Sequence, residues 1–384
     1  MTWVINPTVT IDGTDYTDET LMGVSVNSGR TNIYEQPRAS YATVQILNYN
    51  VSAYPIDIKD EVVISIDNSD GSSQITLFTG KIVSISNSIQ NMGSQGVVVV
   101  QQISAVSQMS EMARTIIGTT SWPKEYDDDR MDRIFTDAGV LVDVVDTPPV
   151  YEFTSRAADP IDAYSAAAQY AQAAFGYIYD TPAGTIGYAN ETRRRNEVVA
   201  TGYEVIPNDC ILWNGITSEK SGGNLINDVL LYYKANASVT SSDATSQATY
   251  GYFAASFITE LENMSEAQYQ ADRYIALRAN PKTNLSSFTI ALAVSDLTDA
   301  KRDYFLGMEM GKAIQINSLP YGIKNETYKG FVEGYSFSIN RNDAFLTLST
   351  SDAVLSLTPT RWQDVSASLI WSAVDPAVTW ATYQ

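Results

Sequence analysis

Short segments in which apolar and polar residues alternate recur through the first hundred residues. Residues 81–86, KIVSIS, show this most clearly, because alternation gives a strand one buried and one solvent-facing side. Similar segments rich in Val, Ile and Thr lie at 8–11, 42–47, 62–66, 75–78 and 97–104. The pair Asp70-Gly71 is typical of a hairpin turn. Short strands separated by turns predict one all-β domain, a sandwich or barrel, over residues 1–118.

The spacing of apolar residues changes to that of a helix after residue 126. Met131, Ile134, Phe135 and Ala138 follow the i, i+3, i+4, i+7 pattern of an amphipathic helix. Three aspartates at 127–129 precede them, where negative side chains match the helix dipole and cap the first turn. Their spacing differs from that of a calcium-binding loop, so we predict capping and no bound metal.

A second helix and a hairpin are predicted next along the chain. The helix runs from Asp159, a capping residue followed by Pro160, to Gly176. Residues 177–188 are typical of a tight hairpin, and their tyrosines are typical of a core, although such rings also stack on sugars or bases. These elements predict a small α+β module over residues 119–200.

Strand patterns return over residues 201–358, with predicted strands at 225–234, 285–294, 313–316, 331–339 and 345–349. A helix beginning at Ser265, with Gln268 completing a capping box, interrupts them. The Ser- and Thr-rich stretch 238–248 is predicted to be a mobile loop. The sequence therefore predicts a mainly β fold with α+β elements: two β-barrel-like domains, a small helix-plus-hairpin module between them, and an extended C-terminal arm over residues 359–384.

The balance of charged residues argues against a general DNA-binding surface. The chain has 24 basic and 44 acidic residues, a formal net charge of −20, whereas phosphate neutralisation needs clustered Lys and Arg. The only basic run is Arg193, Arg194 and Arg195. An acidic surface suits a channel through which DNA passes without binding, and it equally keeps a protein soluble.

The chain contains no histidine, which excludes Ser-His-Asp and Cys-His catalysis and histidine-ligated zinc. Its single cysteine, Cys210, rules out an intramolecular disulfide and is predicted to be a small buried residue. No secretion signal opens the sequence, and no run approaches the roughly 20 apolar residues of a membrane span. We therefore expect a protein kept in a soluble compartment, with no cofactor and no membrane insertion.

Three stretches of the second β region resemble the closing β-domain of tail proteins of long-tailed phages. They are GKAIQINSLP at 311–320, YKGFVEGYSF at 328–337 and FLTLS at 345–349. Residues 78–83 and 176–179 are also similar to that family, so the resemblance spans most of the chain in order. The family comprises baseplate hub proteins of contractile tails and the minor tail protein at the tip of flexible tails.

The resemblance implies a structural virion protein without enzymatic activity, assembled in the host bacterial cytoplasm and placed at the tail tip. In that family two β-barrel domains of each subunit occupy equivalent positions, so a homotrimer forms a pseudo-sixfold ring between the tail tube and a threefold tip. The implied partners are the distal tail or tail-tube protein, the tape measure protein and tip or fibre proteins. DNA would only pass through a central channel.

The arm carries three regularly spaced tryptophans, Trp362, Trp371 and Trp380, between prolines. Exposed tryptophan is costly unless a partner covers it, and tryptophan is favoured at interface hot spots. We expect this arm to dock on a neighbouring subunit or on the distal tail ring. The alternative is a strand that folds back onto the chain's own second β-domain.

Other functions stay open at this point. A distal tail or tube protein is usually shorter and single-barrelled, so the length of 384 residues favours the hub. A receptor- or carbohydrate-binding tail protein for host attachment has weak support from the 24 tyrosines. An enzyme would have to be carboxylate-based, such as a glycosidase, and the sequence nominates no acid pair.

Overall fold

The computed structural model describes residues 3–17, 21–48, 55–91, 97–220, 222–234, 236–319 and 327–357. Its strands are β1 Pro7–Ile11, β2 Thr14–Asp15, β3 Leu21–Gly29, β4 Arg38–Asn48, β5 Glu61–Asp67, β6 Gln74–Asn91, β7 Val97–Val106, β8 Ile116–Ile117, β9 Glu125–Tyr126, β10 Val142–Val145, β11 Glu152–Phe153, β12 Ile161–Asp162, β13 Tyr177–Asp180, β14 Ile186–Ala189, β15 Glu204–Ile206, β16 Ile211–Lys220, β17 Asp228–Tyr233, β18 Ala237–Ser242, β19 Ala254–Ile258, β20 Thr283–Ala291, β21 Ala313–Asn317, β22 Thr327–Ile339 and β23 Ala344–Asp352. Its helices are α1 Met109–Met112, α2 Asp127–Ala138, α3 Ala163–Ala173, α4 Arg193–Thr201, α5 Ala244–Tyr250, α6 Met264–Arg278 and α7 Asp299–Leu306.

One large sheet of 13 strands runs through both β regions. Its order is β16-β20-β23-β22-β3-β4-β7-β6-β5-β1-β2, with β21 also paired to β22 and β15 paired to β21. The two regions meet where β22 pairs antiparallel with β3, from Gly334 opposite Gly29 to Ile339 opposite Val24. The mainly β fold with α+β elements predicted from the sequence is confirmed.

A single apolar core lies beneath this sheet and takes residues from both β regions. Among its fully buried members are Val9, Ile64 and Ile103 from the first region and Ile290, Phe337 and Leu346 from the second. Helix α7 adds Phe305 to this core. Asp303 of α7 accepts a hydrogen bond of 2.7 Å from the backbone of Ser69, so α7 connects the second region to a turn of the first. Burial shared in this way makes the two halves of the sheet stabilise each other.

A second core lies between α2, α3 and the β13–β14 hairpin. Its buried residues include Met131 and Phe135 on α2, Ala167 and Tyr170 on α3, Tyr188 on β14, Ala267 and Ala271 on α6, and Val229 and Leu231 on β17. The small alanine side chains allow close approach of the helices. Helix α6 and the β17–β19 sheet, which belong to the region after residue 201, thus pack on the helix-plus-hairpin module. The division of the chain at residues 118, 200 and 358 stays a prediction.

Most predicted elements of the first 200 residues are confirmed, with two corrections in the strands. Residues 75–78 and 81–86 form one strand, β6, because Gly80 continues it without a turn where β6 passes close to Val106. Strand β3 was not predicted. The prediction of α2 and of its end at Gly139, which has a φ of 67°, is confirmed. Helix α3 begins after Asp162 and not at Asp159, since Asp162 accepts the capping hydrogen bond from Ser165.

Two predictions in the second region are wrong. The stretch 238–248 is ordered, because its first part pairs with β17 as β18 and Asp243 caps α5. Ser265 does not cap the third predicted helix. Helix α6 begins at Met264, with Asn263 at the capping position, and its Glu266 accepts hydrogen bonds from the backbone of Glu152 and from the side chain of Asn263.

Candidate functional site: the sheet junction and the free ends of the sheet

The junction between β3 and β22 is held by very close backbone packing. Gly29 has a φ of +87°, and a Cβ atom there would lie 2.5 Å from the carbonyl oxygen of Glu333. A Cβ atom at Gly334 would lie 2.6 Å from the carbonyl oxygen of Arg30. Glycine at both positions therefore lets the two strands approach where any other residue would separate them.

A buried carboxylate between two arginines lies at the same point. Glu333 is fully buried, and its Oε2 atom accepts a hydrogen bond of 2.7 Å from Nε of Arg30. Arg194 on α4 donates to both carboxylate oxygens, at 2.7 and 2.9 Å, and Ser351 donates to Oε1. The pairing of β22 with β23 shifts its register at this position, which turns Glu333 inward as β-bulges do.

The electrostatics of this cluster favour the ionised carboxylate. Burial alone would raise the pKa of Glu333, but the charges of Arg194 and Arg30 outweigh it and hold the pKa below its usual value. The cluster joins three parts of the chain that are far apart in sequence. It therefore acts as a lock between β3, β22 and α4.

The basic run at 193–195 has a role inside the protein. Arg193 pairs with Asp146 at 2.5 Å, and Arg194 is buried against Glu333. The guanidinium of Arg194 also lies 5.5 Å from the ring centroid of Tyr177. Two of the three charges are thus neutralised within the chain, which agrees with the argument against a DNA-binding surface.

The hairpin module is anchored to the first β region by a buried acid at its tip. Asp180 accepts hydrogen bonds from the backbone of Ser40 at 2.8 Å and from the hydroxyl of Ser107 at 2.6 Å. Burial raises the pKa of Asp180 in spite of these donors. The predicted core role of two of the hairpin tyrosines is confirmed, because Tyr177 and Tyr188 are both buried.

The large sheet ends in different strands on its two sides. At one end β16 exposes Leu212 and Trp213, with exposed fractions of 42% and 37%. At the other end lie β1 and β2, and two exposed apolar side chains lie just before strands at this end: Val4 before β1 and Ile58 before β5, which pairs with β1. A strand at the end of a sheet presents backbone groups to which another chain can add, and exposed apolar residues favour such contact.

The other predicted site residues are placed as follows. Trp362, Trp371 and Trp380 lie outside the described residues, so their role in an interface stays a prediction. Asp127 is buried and accepts hydrogen bonds from the backbone of Val150 and Tyr151, so it binds a neighbouring loop and does not cap its own helix as predicted. Cys210 is buried as predicted, and burial raises its pKa to about 11.

Within the described ranges no group of three or more His, Cys, Asp or Glu side chains is arranged to hold a metal ion. Among the helices of the same ranges, none is long and apolar enough to cross a membrane.

Comparison with known proteins gives matches in structure only. No protein-family model matches the chain, and no curated protein sequence matches it. The 43 kDa tail protein of prophage MuSo2 from Shewanella oneidensis has a TM-score of 0.63 at 11% identity, over 92% of this chain and 99% of that chain. The tail protein from Neisseria meningitidis MC58 has a TM-score of 0.65 at 14% identity, over 92% and 98%. Prophage tail protein gp18 from Listeria monocytogenes EGD-e has a TM-score of 0.53 at 9% identity, over 91% and 95%.

At these identities the similarity defines the fold, and it extends over nearly the whole of each chain. The protein therefore has the fold of phage tail proteins. The resemblance to that family in the sequence is confirmed at this level.

Proposed function

We propose that this chain is a structural, non-enzymatic hub subunit at the tip of a phage tail. Three copies form a pseudo-sixfold ring that links the tail tube or the distal tail ring to the tip. One observation carries the proposal: within the described residues a single sheet passes through both β regions and ends in β16 on one side and in β1–β2 on the other, with β15 at the end of a side branch. The tail-protein fold supports the same function.

A ring of identical chains needs two different surfaces that fit each other, one at each end of the subunit. The β16 end and the β1–β2 end of the sheet meet this requirement. Within one chain the β3–β22 junction joins the two β regions. In the proposed ring a second contact, between β16 of one copy and the β1–β2 end of the next, alternates with that junction around the circle.

The proposed ring also accounts for the charge of the chain. A net charge of −20 repels DNA, so DNA passes through a central channel without being held there. The tail-tube, tape measure, and tip or fibre proteins are the partners expected above and below the ring. The ring is completed in the host bacterial cytoplasm, where tails are built, and remains in the virion tail.

Trp213→Lys is expected to weaken the ring. The substitution puts a charge on the proposed contact, and loss of an aromatic hot spot costs about 2 kcal/mol or more, so trimer dissociation should rise by at least about tenfold. Analytical ultracentrifugation over a range of concentrations measures this change. The matched control is Val199→Lys, which is 81% exposed and lies on α4, outside both β16 and the β1–β2 end. A wild-type chain that stays monomeric at every concentration, or an equal effect of both substitutions, contradicts the proposal.

A further inference from the structure

A cavity of about 270 Å³ lies where the two β regions meet the helix-plus-hairpin module. Its wall contains the loop between β3 and β4, the end of α3, the start of α4, and α6. The last described residues of the chain also reach it, because Leu355 and Ser356 line its rim. A neighbouring cavity of about 280 Å³ shares Tyr34, Arg278 and Leu355 with it, so the two cavities adjoin, and together they are called the groove.

Four arginines line the first cavity: Arg30, Arg194, Arg273 and Arg278. Three of them have carboxylate partners. Arg30 and Arg194 bind Glu333, and Arg273 binds Glu191 at 2.7 Å. These three guanidinium groups thus have an acidic partner inside the chain, which leaves the fourth arginine to be accounted for.

Arg278 is the exception among these four. It makes no ion pair within the described part of the chain, and its Nε atom is buried there without a hydrogen-bond partner. Its guanidinium lies 4.0 Å from the ring centroid of Tyr34. Burial lowers the pKa of Arg278. Tyr34 and Tyr274 act to raise this pKa, and the charge of Arg30 acts to lower it, so the net shift is downward. Burying a charge without an opposite charge is costly, so this side chain is suited to receive a carboxylate.

Aromatic rings line the same cavity as this unpaired charge. Phe257 stacks on Tyr274 with 4.3 Å between ring centroids, and Phe175 lies 4.6 Å from the same tyrosine. All three rings line the cavity together with Tyr34. The groove therefore combines a hydrophobic, aromatic wall with one unpartnered guanidinium, which suits a segment that carries a large apolar side chain next to an acid.

We propose that the groove binds residues 358–384 of its own chain, with the Asp364 carboxylate on Arg278 and the Trp362 ring against the aromatic wall. Within that segment Trp362 and Asp364 are two residues apart, and in an extended chain such residues project to the same side. Asp375, the other acid of the segment, has proline and small or aliphatic neighbours, so it lacks this combination. The inference does not depend on the proposed ring.

The position of the groove supports docking within one chain. Because the chain reaches the rim at Ser356, residue 364 is only eight residues further on, and an extended chain of that length spans up to about 26 to 29 Å. A tether this short gives the segment an effective concentration of the order of millimolar at its own groove. Docking on the same chain is therefore favoured over docking on another copy.

Hydrogen exchange of the full-length chain tests the proposed contact. Amides around residue 364 are expected to exchange slowly in the wild type, and at least about tenfold faster in Arg278→Gln and in Asp364→Asn. The double variant should exchange no faster than either single variant, because both remove the same pair. Asp375→Asn is the matched control and should leave these amides unchanged. Fast exchange in the wild type, or equal effects of Asp364→Asn and Asp375→Asn, overturns the proposal.

Disulfide trapping identifies the chain that supplies the segment. Asn224 is exposed and lines both cavities, and residue 366 projects to the same side of an extended segment as residues 362 and 364. Asn224→Cys combined with Ser366→Cys should therefore form a disulfide within one chain under mild oxidation. The native Cys210 is buried and should not compete. Pairing Asn224→Cys with Ala377→Cys provides the control, which should form the bond at least about tenfold more slowly. A disulfide that links two chains, or equal rates for the two pairs, overturns docking on the same chain.

Discussion

Glu333→Gln is expected to lower the free energy of unfolding by about 3 to 5 kcal/mol at neutral pH, the range for breaking a buried ion pair. The substitution keeps the shape of the side chain but removes the charge between two arginines. Arg30 and Arg194 have side-chain exposures of only 5% and 7%, so both would stay buried without their opposite charge. Chemical denaturation followed by circular dichroism measures the change.

A surface ion pair provides the control for this prediction. Glu111 pairs with Lys81 at 3.2 Å, but both side chains are about half exposed. Exposed pairs contribute about 0 to 1 kcal/mol, so Glu111→Gln should hardly change stability. If the two glutamine variants unfold with similar free energies, the cluster at Glu333 is not a lock between the β regions.

The effect of Glu333→Gln should also depend on pH. Because the folded state holds the pKa of Glu333 below the value of 4.5 found in an unfolded chain, the stability gained from ionisation is fully present above pH 4.5. It is lost as the pH falls through the folded pKa. The difference in unfolding free energy between the wild type and Glu333→Gln should therefore shrink below pH 4.5, and a difference that stays constant down to acid unfolding would contradict this assignment.

The fold was largely predictable because its strands alternate and its helices have clear apolar stripes. The helix at Met131, Ile134 and Phe135 was found from spacing alone. Strand β3 was missed because its sequence, LMGVSVNSG, is rich in glycine, serine and asparagine, which are poor strand formers. Its conformation depends on partners from both sides, β4 and β22. Tertiary pairing of this kind overrides local propensity.

The candidate site was not predictable from local sequence, because its members are distant along the chain. Arg30 and Glu333 are separated by 303 positions, and Arg194 and Glu333 by 139. Glu333 stands in a run of apolar and small residues, FVEGYSF, and a charge inside a strand of that kind is a usable signal for a buried partner. The arginine run at 193–195 offered a second signal, but nothing local indicates that one of its charges points inward. The lack of an ion pair at Arg278 could not be predicted from the sequence, because a basic residue in the last turn of a helix such as α6 is common.

Gly29→Ala is expected to lower the free energy of unfolding by about 2 to 5 kcal/mol. A left-handed backbone conformation costs a residue with a Cβ atom about 1 to 2 kcal/mol. The added Cβ would also lie 2.5 Å from the carbonyl oxygen of Glu333 and 2.6 Å from Cα of Gly334, so β3 and β22 would have to move apart. Overpacking of this kind lowers the free energy of unfolding by about a further 1 to 3 kcal/mol. Denaturant unfolding gives the total.

Gly71→Ala separates these two contributions, because Gly71 has a φ of +70° and no atom lies within 4 Å of a Cβ built there. Both variants should be destabilised because alanine is strained in the left-handed conformation. Only Gly29→Ala should also be destabilised by the clash of its Cβ atom with β22. A difference of about 1 to 3 kcal/mol between them therefore measures that packing. If the two variants are equally stable, the strands have room to relax, and the junction depends on the Glu333 cluster alone. If Gly29→Ala also abolishes trimer formation while Gly71→Ala does not, the angle between the two β regions sets the geometry of the ring, because closure requires a fixed rotation at every contact.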